Sequence, residues 1–364
     1  MSEPRILIVK LSSLGDILHA MPVLRPLREK FPDAFIAWAV QVGEELLTHN
    51  KDLDEVINIG RGKGIIGGIR WIREVKQLLR KYDFTVALDV QGLAKSGLVA
   101  WVSGAREIVG FKGANCRELN WLFTNHRYKP PKDIHIAHQN MELLSYFDIK
   151  ASADVPGLEV SKEDEAFVDD VIKRIHPGEG NCFIIVNPGV SRPNKRWPEQ
   201  HFVRLCELLI ETYPHAVFLT SGTEEEYSLC EYICDNVSSE TKPVPVPRLS
   251  LGQFVALAKR SEFFVGNDTG PTHIAFAAGI PSVFLFGPTG PWRNGGYESA
   301  HGQCVNIISP SECIECWDKE CRRTNTCMES LQPEQVMKYV ERLVMEGKPG
   351  WVLTEKPSKE TGKN

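Results

Sequence analysis

Short apolar, β-branched runs alternate along this chain with longer stretches of helical period. In the first part, Arg5–Val9, Phe35–Val40 and residues 85–89 read as strands buried on both faces. Between them, residues 17–30, 69–81 and 134–147 repeat apolar positions every three or four residues, as amphipathic helices do. A second series follows, with strands expected at 182–186, 216–220, 262–265 and 282–286. Helices are expected at 163–175, 198–212, 224–234, 252–259 and 270–278. Strands alternating with helices predict parallel sheets covered on both faces. The stretch 149–160 lacks periodic pattern and contains Pro156-Gly157, so it reads as a linker. The expected organisation is a Rossmann-like domain over 1–152 and a second over 153–347, with a final helix at 333–345 free to cross back onto the first. The polar, Lys- and Gly-rich stretch 348–364 is expected to be disordered.

Two loops carry the candidate chemistry. The segment running from Gly266 to Thr289 holds a loop of small and polar residues between an apolar strand and an Ala-rich helix. Such a helix presents unsatisfied N–H groups and a positive dipole end, which bind anions. Asp268, Thr269, Thr272 and His273 crowd onto that spot, and a phosphate-bearing ligand is the natural occupant. The plainer alternative is an N-capped helix, with Asp268 or Thr269 bonding backbone N–H groups. Capping accounts for one such residue, not four followed by a second loop, Gly287-Pro-Thr289. Near the N-terminus, Lys10-Leu-Ser-Ser-Leu-Gly-Asp16 links a strand to a helix, and Ser12, Ser13 and Gly15 suit close approach of a ligand to the backbone. Asp16 is either a cap or a catalytic base, and position alone favours the cap. The loop has no G-x-G-x-x-G, so the dinucleotide fingerprint is missing.

Lys10-Leu-Ser-Ser-Leu-Gly-Asp-Ile-Leu-His-Ala-Met-Pro22 and Asp268-Thr-Gly-Pro-Thr-His273 resemble the two signature stretches of the family 9 glycosyltransferases, the ADP-heptose:lipopolysaccharide heptosyltransferases. The resemblance continues through Leu88-Asp-Val-Gln-Gly-Leu-Ala-Lys-Ser96, His135-Ile-Ala-His-Gln139, Lys195-Arg-Trp-Pro198, Gly287-Pro-Thr289 and Gly295-Gly-Tyr297. The Gln-Gly-Leu and Gly-Gly-Tyr pieces look most like heptosyltransferase I, and the Cys-rich stretch after Ser311 looks more like heptosyltransferase II.

The resemblance implies an α/β GT-B fold, two doubly wound domains facing each other across a cleft. It implies inverting transfer of L-glycero-D-manno-heptose from ADP-heptose to Kdo-lipid A or a heptosylated inner core, at the cytoplasmic face of the inner membrane. Asp16 then matches the catalytic base, displacing the plain-cap reading, and Lys195 matches the cation that meets the donor phosphates. Donor contacts are implied at Ser12, Ser13, Gly15, Ser191, Asp268, Thr269, Gly270 and His273, with Glu224 or Glu225 on the ribose and Leu249 against adenine. The anionic acceptor calls for cations on the first domain. Arg61 and Lys63 lie in Gly60-Arg-Gly-Lys-Gly64, Arg117 matches an acceptor-loop arginine, and Gln91 stands beside them with Lys95. For Lys63 and Lys95 a solvated surface charge is the preferred reading. Residues 65–73 combine apolar and basic side chains, which suits lipid headgroups, though an ordinary packed helix is preferred. Rival readings are another nucleotide-sugar or acceptor on the same fold, or a non-catalytic nucleotide-sugar-binding protein.

Bulk properties narrow these choices. At 364 residues with 42% hydrophobic positions the chain fits two soluble domains. No apolar run reaches the length of a membrane span, and no secretory signal is read. A net charge of −5 argues against a general nucleic-acid binder. Six of ten cysteines, Cys182 among them, are scattered singly, as in a reduced cytoplasmic protein. The other four, Cys313, Cys316, Cys321 and Cys327, have metal-like spacing and could hold Zn²⁺ or an iron centre. They lie beyond the units expected to build the donor site, so a metal there would be structural, and catalysis itself needs none.

Overall fold

A computed structural model of the chain describes residues 3–62, 64–175, 183–190, 192–213, 216–318, 320–323 and 326–358. Lys63, Cys182 and Ser191, singled out above, lie outside the described residues. The chain divides into two compact units, Met1–Glu159 and Val160–Asn364.

The first unit runs β1 (Arg5–Val9), α1 (Leu14–Leu18), α2 (Leu24–Lys30), β2 (Phe35–Val40), β3 (Glu55–Asn58), α3 (Gly64–Leu79), β4 (Val86–Asp89), α4 (Ala94–Ser103), β5 (Glu107–Phe111), β6 (His126–Tyr128) and α5 (Ile136–Met141). Its six strands lie in the order β3-β2-β1-β4-β5-β6, every neighbouring pair parallel. Leu7, Val9, Ala37, Ala39 and Ala87 of the sheet pack against Trp71, Val75, Val99 and Ala100 of α3 and α4. The helix expected at 17–30 is two helices, α1 and α2, parted by a turn at Met21–Val23. Pro22 lacks the N–H that a continuous helix would need there. Helix α3 is the packed helix preferred above: the Trp71 Nε1–H donates to the Ile59 carbonyl at 2.6 Å, while Ile69 stays exposed.

The second unit runs α6 (Lys162–Ile175), β7 (Phe183–Asn187), α7 (Glu199–Thr212), β8 (Ala216–Leu219), α8 (Glu224–Asn236), β9 (Val244–Pro245), α9 (Leu251–Ala258), β10 (Phe264–Asn267), α10 (Gly270–Ala277), β11 (Ser282–Phe286), α11 (Pro291–Asn294), β12 (Cys304–Ile308), α12 (Pro333–Glu346) and β13 (Val352–Glu355). Its strands lie in the order β13-β12-β11-β10-β7-β8-β9, again all parallel. Both sheets are therefore doubly wound, with the winding direction reversing between β1 and β4 in one and between β7 and β10 in the other. Ligands of open α/β sheets bind beyond the carboxyl ends of strands at such reversals.

Two expectations about the C-terminal part are corrected. Helix α12 buries Val336, Met337, Val340 and Leu343 in the second unit's own core, beside Phe202, Leu205 and Leu209 of α7. The buried side of the helix packs within its own unit, while Val344 and Met345 stay exposed. Within the stretch expected to be disordered, Val352–Glu355 forms the edge strand β13, with Val352 opposite Cys304 and Glu355 opposite Ile307. A four-residue run has too little pattern to register among Lys and Gly, but the open edge of β12 supplies a complete ladder. Among the described residues no helix is long and apolar enough to cross a membrane.

Candidate functional site

At the second sheet's reversal, β10 ends in Asn267, whose side chain ties two loops together. Its Oδ1 accepts the Trp197 N–H at 3.2 Å, and its Nδ2 donates to the Pro188 carbonyl at 3.2 Å. This holds the loop after β7 against the loop before α10. Lys195, near the end of the first loop, then reaches Asp268 in the second: Nζ lies 2.5 Å from Oδ2 and 3.1 Å from the Asp268 carbonyl. His273 Nε2 meets Asp268 Oδ1 at 3.0 Å, and the Thr289 hydroxyl donates to Oδ2 at 2.6 Å. Asp268 is buried, which on its own would raise its pKa. The hydrogen bond and charge of His273, with the charge of Lys195, outweigh that and hold the carboxyl well below the usual carboxylate range.

The plain capping alternative does not survive this geometry. Thr269 occupies the N-cap of α10 without a side-chain cap bond, and the Asp268 carboxylate is turned to Lys195, His273 and Thr289. The helix end keeps backbone donors for another partner. Unpartnered polar atoms gather at the same end of the sheet: Asn187 Oδ1, Asn194 Oδ1 and Ser221 Oγ are buried without a hydrogen bond. A lysine and a histidine on one carboxylate beside a helix N-terminus, with unpartnered buried polar atoms at the same end of the sheet, suit a phosphate-bearing, polyhydroxylated ligand.

Other expected donor residues fall around this edge. Gly270 is the first residue of α10, and half-buried Leu249 precedes the Ser250 cap of α9. Glu224 and Glu225 are exposed on the first turn of α8, where Glu225 lies 3.9 Å from Arg196. Sequence reasoning gave no role to Glu226. Its carboxylate turns back to accept the Gly222 N–H at 2.8 Å and rests against Gly189, where any Cβ would collide with it. The pattern Thr223-x-x-Glu226, a capping-box signature, was the available signal. Thr289 was missed as well, although its motif was read.

The cysteine-rich segment is not remote from this site, as expected above, but lies over it. Glu315 N–H donates to the Gly287 carbonyl at 3.0 Å, Trp317 N–H to the Pro288 carbonyl at 2.8 Å, and Asn194 Nδ2 to the Asp318 carbonyl at 2.7 Å. Spacing along the chain said nothing about this return path. Burial pushes the Cys327 thiol up to about 11, helped by charge on Cys316, Cys321 and Cys313. Among the described residues, however, no set of three or more Cys, His, Asp or Glu side chains is arranged to hold a metal.

In the first unit, the loop after β1 meets the loop after β4 at the other reversal. Lys10 is buried with Nζ 3.2 Å from the Val90 carbonyl, and Leu11 N–H donates to Gln91 Oε1 at 2.6 Å. Gln91 thus helps position the Lys10–Asp16 loop. Asp16 Oδ2 accepts the Ser13 N–H at 3.2 Å and the Ser13 hydroxyl at 3.0 Å, while its carboxylate stays exposed. It is a cap in geometry and remains open to solvent. Ser12 is half-buried and Gly15 lies within α1.

Arg61 lies at the carboxyl end of β3, close enough to Lys95 for its charge to add to burial in lowering the Lys95 pKa. The Lys95 Nζ bonds Gln41 Oε1 at 2.7 Å and sits 5.0 Å from the Trp71 ring, so it is more than a solvated charge. Arg117 is exposed, and its N–H donates to the Gly92 carbonyl at 2.8 Å. Gly92, at φ +72°, leaves no room for a Cβ beneath Asn115. Arg61, Gln91 and Arg117 therefore share the carboxyl edge of the first sheet.

Beneath them, buried Asp89 accepts from Gln91 N–H, Gly92 N–H, the Ser96 hydroxyl and Asn120 Nδ2, at 2.6 to 3.1 Å. Burial raises its pKa, opposed by those donors. Asp89→Asn would turn an amide N–H₂ toward a ring of donors. The expected cost is about 2–3 kcal/mol, read as a melting transition lowered by about 5–10 °C, with ADP binding unchanged. An unaltered transition would remove Asp89 as the organiser of this edge.

The sequence pattern defining glycosyltransferase family 9 (heptosyltransferase) matches residues 72–326. Over 357 residues the chain is 28% identical to lipopolysaccharide heptosyltransferase 1 of Campylobacter coli, covering 93% of this chain and 98% of that protein. It is 26% identical over 366 residues to the Pseudomonas aeruginosa protein of the same name, covering 94% and 98%. In fold it matches a family 9 glycosyl transferase from Veillonella parvula at a TM-score of 0.80, 21% identity and coverage of 95% and 99%. E. coli heptosyltransferase WaaC with ADP matches at 0.73, with 20% identity and coverage of 93% and 99%. These structural likenesses establish the two-domain GT-B fold. With the family pattern spanning more than half of the chain, this protein belongs to glycosyltransferase family 9, the heptosyltransferases, and is a glycosyltransferase.

Proposed function

We propose that this enzyme transfers L-glycero-D-manno-heptose from ADP-heptose to the Kdo or inner-core region of lipopolysaccharide, with inversion, at the cytoplasmic face of the inner membrane. The observation carrying the reading is the Asp268-centred cluster of Lys195, His273 and Thr289 at the α10 N-terminus. Relatives named as lipopolysaccharide heptosyltransferases support the substrate class, as does the E. coli structure solved with ADP-2-deoxy-2-fluoro heptose.

In this reading Asp16 takes the proton of an acceptor hydroxyl as its oxygen bonds to the anomeric carbon and the carbon–oxygen bond to ADP breaks. Charge builds on the departing diphosphate. Lys195, oriented by Asp268, and the backbone donors of α10 offset it. The chain's own cations serve this step, so no metal is assigned to it. Glu226, the Oδ1 atoms of Asn187 and Asn194, and the Ser221 hydroxyl are suited to the nucleoside. Arg61, Gln91 and Arg117 are suited to the anionic acceptor.

The test is a donor panel with purified protein and Kdo₂–lipid A, products weighed by mass spectrometry. ADP-heptose should be used in preference to UDP- and GDP-sugars. Lys195→Ala and Asp268→Ala should raise the donor KM, whereas Arg61→Ala and Arg117→Ala should raise the acceptor KM by roughly ten-fold each, the worth of one surface-to-ligand charge contact. Second-unit changes acting only on the acceptor would overturn this division.

A further inference from the structure

Four large apolar side chains exposed to solvent fall in one part of the first unit. Trp101 is 58% exposed, Leu119 60%, Trp121 49% and Leu122 59%. They belong to α4 and to the segment packed on it: Asn120 Nδ2 and the Phe123 side chain lie against Gly97, one turn from Trp101. Asn120 is buried and bonds Asp89 Oδ2 at 2.6 Å and the Leu93 carbonyl at 2.8 Å, which holds the segment in place. Its neighbours are thereby turned outward. Glu118 and Leu119 adopt φ of +52° and +61°, an arrangement that costs non-glycine residues about 1 kcal/mol or more each. The backbone is held in a costly conformation that displays apolar side chains to water.

Charge singles out the same stretch. From Arg106 to Lys132 the chain carries six exposed cations, Arg106, Lys112, Arg117, Arg127, Lys129 and Lys132. Against them stand two carboxylates, Glu107 and Glu118, in a protein whose net charge is −5. Glu107 is already engaged by His126 at 2.5 Å. Lys112 and Lys129 are neighbours, since Lys112 N–H bonds the Tyr128 carbonyl and the Lys129 side chain lies against Gly113.

We infer that this surface seats the enzyme on an anionic lipid bilayer, with Trp101, Leu119, Trp121 and Leu122 entering the headgroup boundary and the exposed cations of residues 106–132 meeting lipid phosphates. Exposed tryptophan and leucine combined with exposed lysine and arginine are the composition that partitions there. Each juxtamembrane cation adds to the attraction of an anionic leaflet. A protein partner fits less well, because protein interfaces are depleted in lysine. A second copy fits worst: an isologous contact would press this positive surface against itself. The inference deepens the proposed function by assigning the face from which a lipid-linked acceptor is reached, and rests on that reading only for its role.

Sedimentation of the full chain with vesicles, without donor or acceptor, tests it directly. Binding should be at least ten-fold stronger to phosphatidylglycerol–phosphatidylethanolamine vesicles than to phosphatidylcholine vesicles, and should weaken with salt. Tryptophan emission should shift to the blue and be quenched by brominated lipid. Trp121→Ser with Leu122→Ser should lower partitioning about ten-fold, and Arg127→Glu with Lys129→Glu should abolish the preference for anionic lipid. Both variants should keep wild-type melting and turnover on a detergent-dispersed acceptor, while losing turnover on acceptor embedded in vesicles. Vesicle binding unaffected by both pairs would overturn the assignment. So would a wild-type dimer that the apolar pair dissociates without vesicle binding. Absence of heptose transfer to any acceptor would instead refute the proposed function and leave the lipid result standing.

Discussion

Replacing Asp16 with alanine is expected to lower turnover by about 10²–10⁴-fold, the usual contribution of a general base, with ADP affinity unchanged. The competing role is visible in the structure, since Asp16 accepts both the N–H and the hydroxyl of Ser13 at the start of α1. Loss of such a cap costs about 1 kcal/mol of stability, so Asp16→Ala mixes the two effects. Asp16→Asn separates them. The amide oxygen still accepts from Ser13, but it cannot take a proton from a hydroxyl. Both variants should be similarly inactive, and only Asp16→Ala should melt earlier. Recovery of turnover in Asp16→Asn would leave the residue as a cap alone.

The second large effect is expected at the Lys195–Asp268 pair. Lys195→Ala should lower kcat/KM for the donor by about 10²–10³-fold, the scale for removing one group that meets charge developing in the transition state. Acceptor KM should not move. The same change leaves Asp268 buried with less positive charge beside it, and breaking such a pair costs about 3–5 kcal/mol.

The pH dependence of that loss has a definite sign. The folded protein holds the Asp268 carboxyl below its ordinary value of 3.8, so its paired, ionised form stabilises the fold at neutral pH. That contribution fades as pH falls below 3.8. The difference in melting temperature between wild type and Lys195→Ala should therefore be largest near neutrality and shrink on acidification. A difference constant with pH would mean that Lys195 contributes packing rather than charge.

Much of the architecture was legible because buried parallel strands are long apolar runs with little competing pattern. β1, β2, β7, β10 and β11 read this way, and helices such as α6 and α7 show clear amphipathic period. β3, β5, β6, β9, β12 and β13 did not register. They are short, and all but β5 and β12 carry too few apolar positions to be told from loops; pairing with a neighbouring strand is what makes them part of the sheets. The break between α1 and α2 was legible in principle at Pro22, but the apolar period continues through it and masked the turn.

The sequence by itself determined the strand–loop–helix units, the two winding domains and the residue types gathered on the anion-binding loops. Those follow from local periodicity, from glycine and proline placement, and from polar residues at a helix entrance. Only the tertiary structure decided which of those residues meet. Lys195 and Asp268 are joined because Asn267 binds the backbone of a loop that follows a different strand. The cysteine segment lies over the site because its backbone pairs with Gly287 and Pro288. Glu226 rather than its two predecessors turns toward Gly189 because helical geometry gives each of three adjacent glutamates a different face. Chain spacing carries local geometry, whereas these contacts depend on strand order and loop return, which no short window of sequence records.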